Sequence, residues 1–164
     1  MRVLCFIILL TAIGCTNNSE KSISINNVTT NEDSLKNAII QKGDISAYQT
    51  LWYLYLDSSK PEEYLNYSLI MANKYDYTDA YFNVYRCLIN LYPNKEMLDK
   101  LTVDIAIKYL QMAAAKKHQQ ALEILGDYYI KGKFVEKDVT LGRKLLNEST
   151  KESNGNESNL ALPK

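Results

Sequence analysis

The sequence predicts an all-α fold built as a short array of helical hairpins. Three observations predict it. From about residue 31 to residue 150, apolar residues recur at spacings of three and four, the period of a helix with one buried face. An alanine-headed pattern occurs three times along that stretch. Glycine and proline are scarce, six and three in 164 residues, which argues against a turn-rich all-β chain.

The pattern emerges when Ala47, Ala80 and Ala121 are aligned, 33 and 41 residues apart. One residue on stand Tyr48, Tyr81 and Leu122; four on, Leu51, Val84 and Leu125; eight on, Tyr55, Leu88 and Tyr129. These offsets share one helix face, and the small alanine lets a neighbouring helix come close. The intervening helices repeat too: Leu69, Met71 and Ala72 match Leu110, Met112 and Ala113. Each unit is therefore a pair of antiparallel helices. One pair cannot bury both apolar faces alone, so successive pairs must stack. Helix starts are expected at Ser59-Lys60-Pro61-Glu62, where Ser precedes Glu by three with Pro between, and more weakly at Thr30 and Asp33.

The last unit is similar to a known family. Ala121, Leu125-Gly126, Tyr129 and Gly132 carry the spacing of the Sel-one-like repeat, a relative of the tetratricopeptide repeat. Val135 and Asp138 match its loop, and Ala106, Tyr109 and Ala113-Ala114 match its preceding helix. The resemblance is best over residues 102–146 and weaker upstream. It implies a right-handed array of helical hairpins, a Sel-one-like or tetratricopeptide-like solenoid. In it Gly126 would permit close helix contact, Gly132 would take a left-handed backbone, and Asp138 would cap a helix. Some positions depart from the family. Lys117 stands where it ends a helix with glycine, and Gly142 where it has alanine. Trp52 and Tyr85 stand where Gly126 does, so those contacts must be wider or differently arranged. The stretch from Leu91 to Thr102 is longer than its counterparts, which makes the array degenerate.

The amino terminus carries a different signal. Arg2 precedes the apolar run Val3–Leu10, too short for a permanent span of about 20 residues but suited to the core of a signal peptide. Ala12-Ile13-Gly14-Cys15 then resembles the bacterial lipobox, in which small residues admit the peptidase and the cysteine thiol takes a lipid. The resemblance implies a signal peptide at 1–14, a lipidated and palmitate-bearing Cys15, and a place in the cell envelope. Residues 15–30, rich in Asn and Ser, are expected to form a flexible tether. Thr16 after the cysteine favours the outer over the inner membrane in a Gram-negative cell. The repeat domain is expected over 31–150, with a disordered tail over 151–164.

Chemistry is sparse. Nineteen basic and nineteen acidic residues give zero net charge, with no basic stripe for nucleic acid. His118, the single histidine, is expected in an exposed link between helices, without a nucleophile or orienting partner. One His and one remaining Cys do not make a metal site. Glu62-Glu63 point apart on a helix and complement its dipole, and Lys116-Lys117 suit a solvated helix end. Cys87, in an apolar stretch, is expected to be a buried small hydrophobe. No catalytic residue, metal ligand or cofactor is assigned, and no enzyme activity is expected.

The aromatic residues carry more. Ten of thirteen tyrosines lie between Tyr48 and Tyr92, with Trp52 among them. Tyr48, Trp52, Tyr55, Tyr81 and Tyr85 fall on the apolar stripe and are assigned to the core. Tyr53 and Phe82 fall opposite it, beside Gln49 and Arg86, and either pack on flanking helices or form an exposed patch. Aromatic residues and arginine anchor protein interfaces, so Tyr53, Phe82 and Arg86 are the candidate partner-binding residues. Tyr75 and Tyr77, in a polar turn, are expected to be exposed. The sequence thus predicts a lipid-anchored, non-catalytic protein-binding module of the bacterial envelope, with no nucleic-acid partner. Two sharper forms are an immunity protein that neutralises an interbacterial toxin effector and an assembly scaffold for an envelope complex.

Overall fold

The computed structural model describes residues 31–58, 61–90 and 98–158. Seven helices occur in order: α1 (Glu32–Lys42), α2 (Ile45–Ser58), α3 (Pro61–Asn73), α4 (Thr78–Asn90), α5 (Lys100–Ala115), α6 (Gln119–Lys131) and α7 (Val139–Ser158). The described residues contain no strand, and the fold is all-α. No helix among them is long and apolar enough to cross a membrane. Cys15, the lipobox, the tether and Tyr92 lie outside the described residues, as does most of the long stretch after Leu91.

Local chemistry sets the boundaries. The Asn31 side chain accepts from the backbone N–H groups of Asp33 and Ser34, so Asn31 caps α1, where Thr30 and Asp33 had been the expected signal. Gly43 ends α1 at φ 63°, the left-handed conformation that costs glycine least. Asp44 Oδ1 then accepts from Ala47 N at 2.9 Å and opens α2. Pro61 is the first residue of α3, where its missing N–H costs nothing, and Glu62 and Glu63 lie in the first turn. Asp99 caps α5 through Thr102 N at 2.9 Å. Gly132 closes α6 at φ 67°, and Asp138 Oδ1 accepts from Leu141 N at 2.9 Å to cap α7. Helix α7 continues to Ser158, eight residues beyond the expected end of the domain.

Each helix packs on the next in the chain, and α1 also meets α3. The first three aligned positions are buried in all of α2, α4 and α6, whereas eight residues on Tyr55 is buried and Leu88 and Tyr129 are half-buried. Ala47, Ala80 and Ala121 are buried, as are Tyr48, Tyr81 and Leu122, and Leu51, Val84 and Leu125. Met71 and Ala72 of α3 and Leu110 and Ala113 of α5 fill the core between them. Helices α6 and α7 approach closely where Gly126 and Gly142 face each other. At the positions equivalent to Gly126, rings fill the space. Tyr85 is buried and its hydroxyl shares a 2.8 Å hydrogen bond with Tyr128, while Trp52 leans on Tyr64 at 4.8 Å between centroids.

Tyr75 and Tyr77 are not exposed side chains of a polar turn. Both are half-buried: Tyr75 packs against Gly43 and donates to the Ile40 carbonyl at 2.7 Å, and Tyr77 donates to Asp79 at 2.8 Å. The phenol rings carry the turn back onto α1 and α2, which residue polarity does not reveal. Cys87 is 3% exposed, and burial pushes its thiol up to about 11.

Candidate binding groove

Helices α2 and α4 present matching side-chain rows. Gln49, Trp52 and Tyr53 share one face of α2, and Asp79, Phe82, Asn83 and Arg86 share one face of α4, each set at three- and four-residue spacing. The start of α6 adds His118 and Gln120, and together these side chains line an open groove of about 300 Å³. A second hollow of about 440 Å³ adjoins it, sharing Phe82, Arg86 and Gln120 and extending along Tyr85, Ile89, Glu123 and Ile124.

The groove floor is a buried aromatic and hydroxyl network. Tyr48 and Tyr64 stack at 5.0 Å, each about 1% exposed. Ser68 Oγ donates to the Tyr64 carbonyl at 3.0 Å, so its single proton is used. The Tyr48 hydroxyl, 2.9 Å away, must therefore donate to Ser68 Oγ, and it accepts from Asn83 Nδ2 at 3.0 Å. The chain runs from Asn83 through Tyr48 and Ser68 to the Tyr64 backbone, and no buried polar side-chain atom among the described residues lacks a partner. Burial holds both phenols above the ordinary tyrosine range.

His118 departs from its expected exposed position: its side chain is 14% exposed. It is the N-cap of α6, with Nδ1 accepting from Ala121 N at 3.3 Å. An accepting Nδ1 carries no proton, so Nε2 carries it and faces Asp79 Oδ1 at 3.7 Å. The ring stacks on Phe82 at 4.4 Å. Burial lowers its pKa; Asp79 acts in the opposite sense and Arg86 adds to the lowering.

The three candidate binding residues meet at the groove but differ in role. Tyr53 is 68% exposed on the rim. Arg86 is half-buried, with its guanidinium carbon 4.7 Å from the centre of the Trp52 ring and 5.9 Å from that of Phe82. Phe82 is only 4% exposed, part of the floor and not of an exposed patch, because the His118 ring covers it. Trp52, Asn83, His118 and Gln120 were not singled out from the sequence as groove residues. The spacing of 79, 82, 83 and 86 on α4 was the available signal; the arrival of the α6 N-terminus was not visible.

His118 contacts a carboxylate and a phenyl ring, and Nδ1 is committed to the helix cap. Among the described residues no three His, Cys, Asp or Glu side chains converge as a metal site. No protein-family model matches the chain, and neither a curated protein nor a solved structure matches it.

Proposed function

We propose that this chain is a lipid-anchored, non-catalytic protein-binding module of the bacterial cell envelope, and that its groove along α2, α4 and the start of α6 receives the partner. One observation carries this reading. An exposed tyrosine, an arginine resting on tryptophan and a set of amide side chains line one open groove over a rigid, fully bonded floor. Aromatic and arginine anchors on a preorganised base suit protein recognition, since little ordering is needed on binding. The repeated burial pattern of α2, α4 and α6 supports a hairpin-repeat array of the Sel-one-like kind. The residues Ala12-Ile13-Gly14-Cys15 support anchoring through Cys15.

The test is a photocrosslinking residue at position 53 of the full-length, lipidated chain in its native envelope, followed by mass spectrometry of the adducts. A defined partner crosslinked in high yield is expected, with the yield falling when Arg86 is replaced. A single toxin-like partner makes the chain an immunity protein; several resident envelope proteins make it a scaffold. A folded, lipidated chain that crosslinks to nothing at this position overturns the groove assignment.

A further inference from the structure

We infer that the groove takes an acidic side chain, Asp or Glu, of a protein partner, with the Arg86 guanidinium receiving its carboxylate. This deepens the groove-binding function proposed above and rests on it.

Arg86 is held but not satisfied. Its guanidinium carbon lies over the Trp52 ring at 4.7 Å from the centre and 5.9 Å from that of Phe82, contacts that use none of its N–H groups as hydrogen-bond donors. Among the described residues Arg86 makes no hydrogen bond and no ion pair. Two carboxylates border the same hollows, yet both are turned elsewhere. Asp79 accepts from the Tyr77 hydroxyl at 2.8 Å and faces His118 Nε2 at 3.7 Å. Glu123 accepts from Gln119 Nε2 at 3.2 Å and from Ser149 Oγ at 3.1 Å. The fold thus provides acids beside the groove without neutralising its arginine.

The chemistry of the edge selects the ligand. A guanidinium presents parallel N–H donors that match the two oxygens of a carboxylate, and charge-assisted pairs are about twice as strong as neutral ones. The aromatic rings limit the rotamers of the guanidinium, so less freedom is lost when the pair forms. Gln120, which lines both hollows, also has an uncommitted amide among the described residues to meet a neighbouring backbone group. Tyr53 stands on the rim, positioned to pack against apolar atoms beside the acid.

The experiment selects random linear peptides against the full chain and resynthesises the binders with amidated C-termini. Binding is measured to the parent and to the Arg86→Met, Arg86→Lys and Tyr53→Ala variants, each checked for an unchanged thermal midpoint. The expected binders contain Asp or Glu. Replacing that residue by Asn or Gln should weaken binding about tenfold or more. Arg86→Met should weaken it equally, and Arg86→Lys should fall between because it keeps charge but loses the fork. Peptides that depend on Tyr53 but ignore both the acid and Arg86→Met overturn the inference and leave the groove function standing. Binding that is lost on C-terminal amidation also overturns it, since the recognised carboxylate is then a chain terminus. A selection with no peptide sensitive to either Tyr53→Ala or Arg86→Met removes the inference and the groove assignment together.

Discussion

Gly126 of α6 and Gly142 of α7 cross with their backbones in direct contact: a Cβ on Gly142 would lie 2.7 Å from the Gly126 carbonyl oxygen, and one on Gly126 would lie 2.9 Å from that of Gly142. These separations are too short for any real Cβ contact. The obstacles are the two carbonyl oxygens, the Ile130 backbone and side chain and the Leu146 side chain, and the backbone atoms among them cannot swing aside. Helix α7 is seated by this pair.

Gly142→Ala is therefore expected to destabilise the fold, although alanine favours helix and is the residue found there in the family the last unit resembles. Overpacking of this kind costs roughly 1–3 kcal/mol, more than the roughly 1 kcal/mol gained from helix propensity. Chemical denaturation followed by circular dichroism checks it. A variant as stable as the parent would mean that α7 does not sit this close.

Lys117 adopts φ 65°, the left-handed region disfavoured for a side chain with a Cβ. This is the backbone conformation that glycine adopts at least cost. Lys117→Gly should relieve about 1 kcal/mol of strain. It also removes the 2.6 Å ion pair with Glu148, but Lys117 is 53% exposed and such pairs contribute about 0–1 kcal/mol. Equal or modestly raised stability is expected, and Glu148→Gln alone isolates the loss of the pair.

His118 gives the fold a dependence on pH. Its pKa is lowered in the folded chain, so the unfolded chain binds the proton first as pH falls through about 6.5. Stability is complete above that value and declines as pH drops from there toward the lower folded pKa. Protonation also removes the acceptor that caps Ala121 N. His118→Asn keeps a capping acceptor without a titrating group, so its stability should fall less between pH about 6.5 and 5. The carboxylates of Asp76, Asp99 and Glu148 are held below their usual range by hydrogen-bonded partners. Their contribution is lost only at more acidic pH, which separates the two effects. Parent and variant curves that superimpose over this interval would exclude the mechanism.

The Tyr85–Tyr128 hydroxyl pair joins α4 to α6 inside the core. Tyr85→Phe or Tyr128→Phe each leaves one phenol without this partner, at an expected cost of about 1–2 kcal/mol. The double variant removes both polar groups and should cost less than the two single changes combined. Additive losses in a double-mutant cycle would show that the hydroxyls do not depend on each other.

The sequence by itself determined the helical class, the alanine-headed stripe and the helix ends at Gly132 and Asp138, because each depends on residues within one or two turns. Gly132 and Asp138 could be read in place, since a left-handed helix end and a side-chain cap are local chemistry. Tertiary structure alone decided which faces met. It carried the His118 ring over Phe82, burying a residue that single-helix geometry left on the outer face. It drew Tyr75 and Tyr77 out of a polar turn and onto α1 and α2. It also left Arg86 beside two carboxylates that bond elsewhere. Periodicity reports how a helix divides into faces. Which neighbour covers a face, and which polar edge stays open, depends on contacts between residues far apart in the chain.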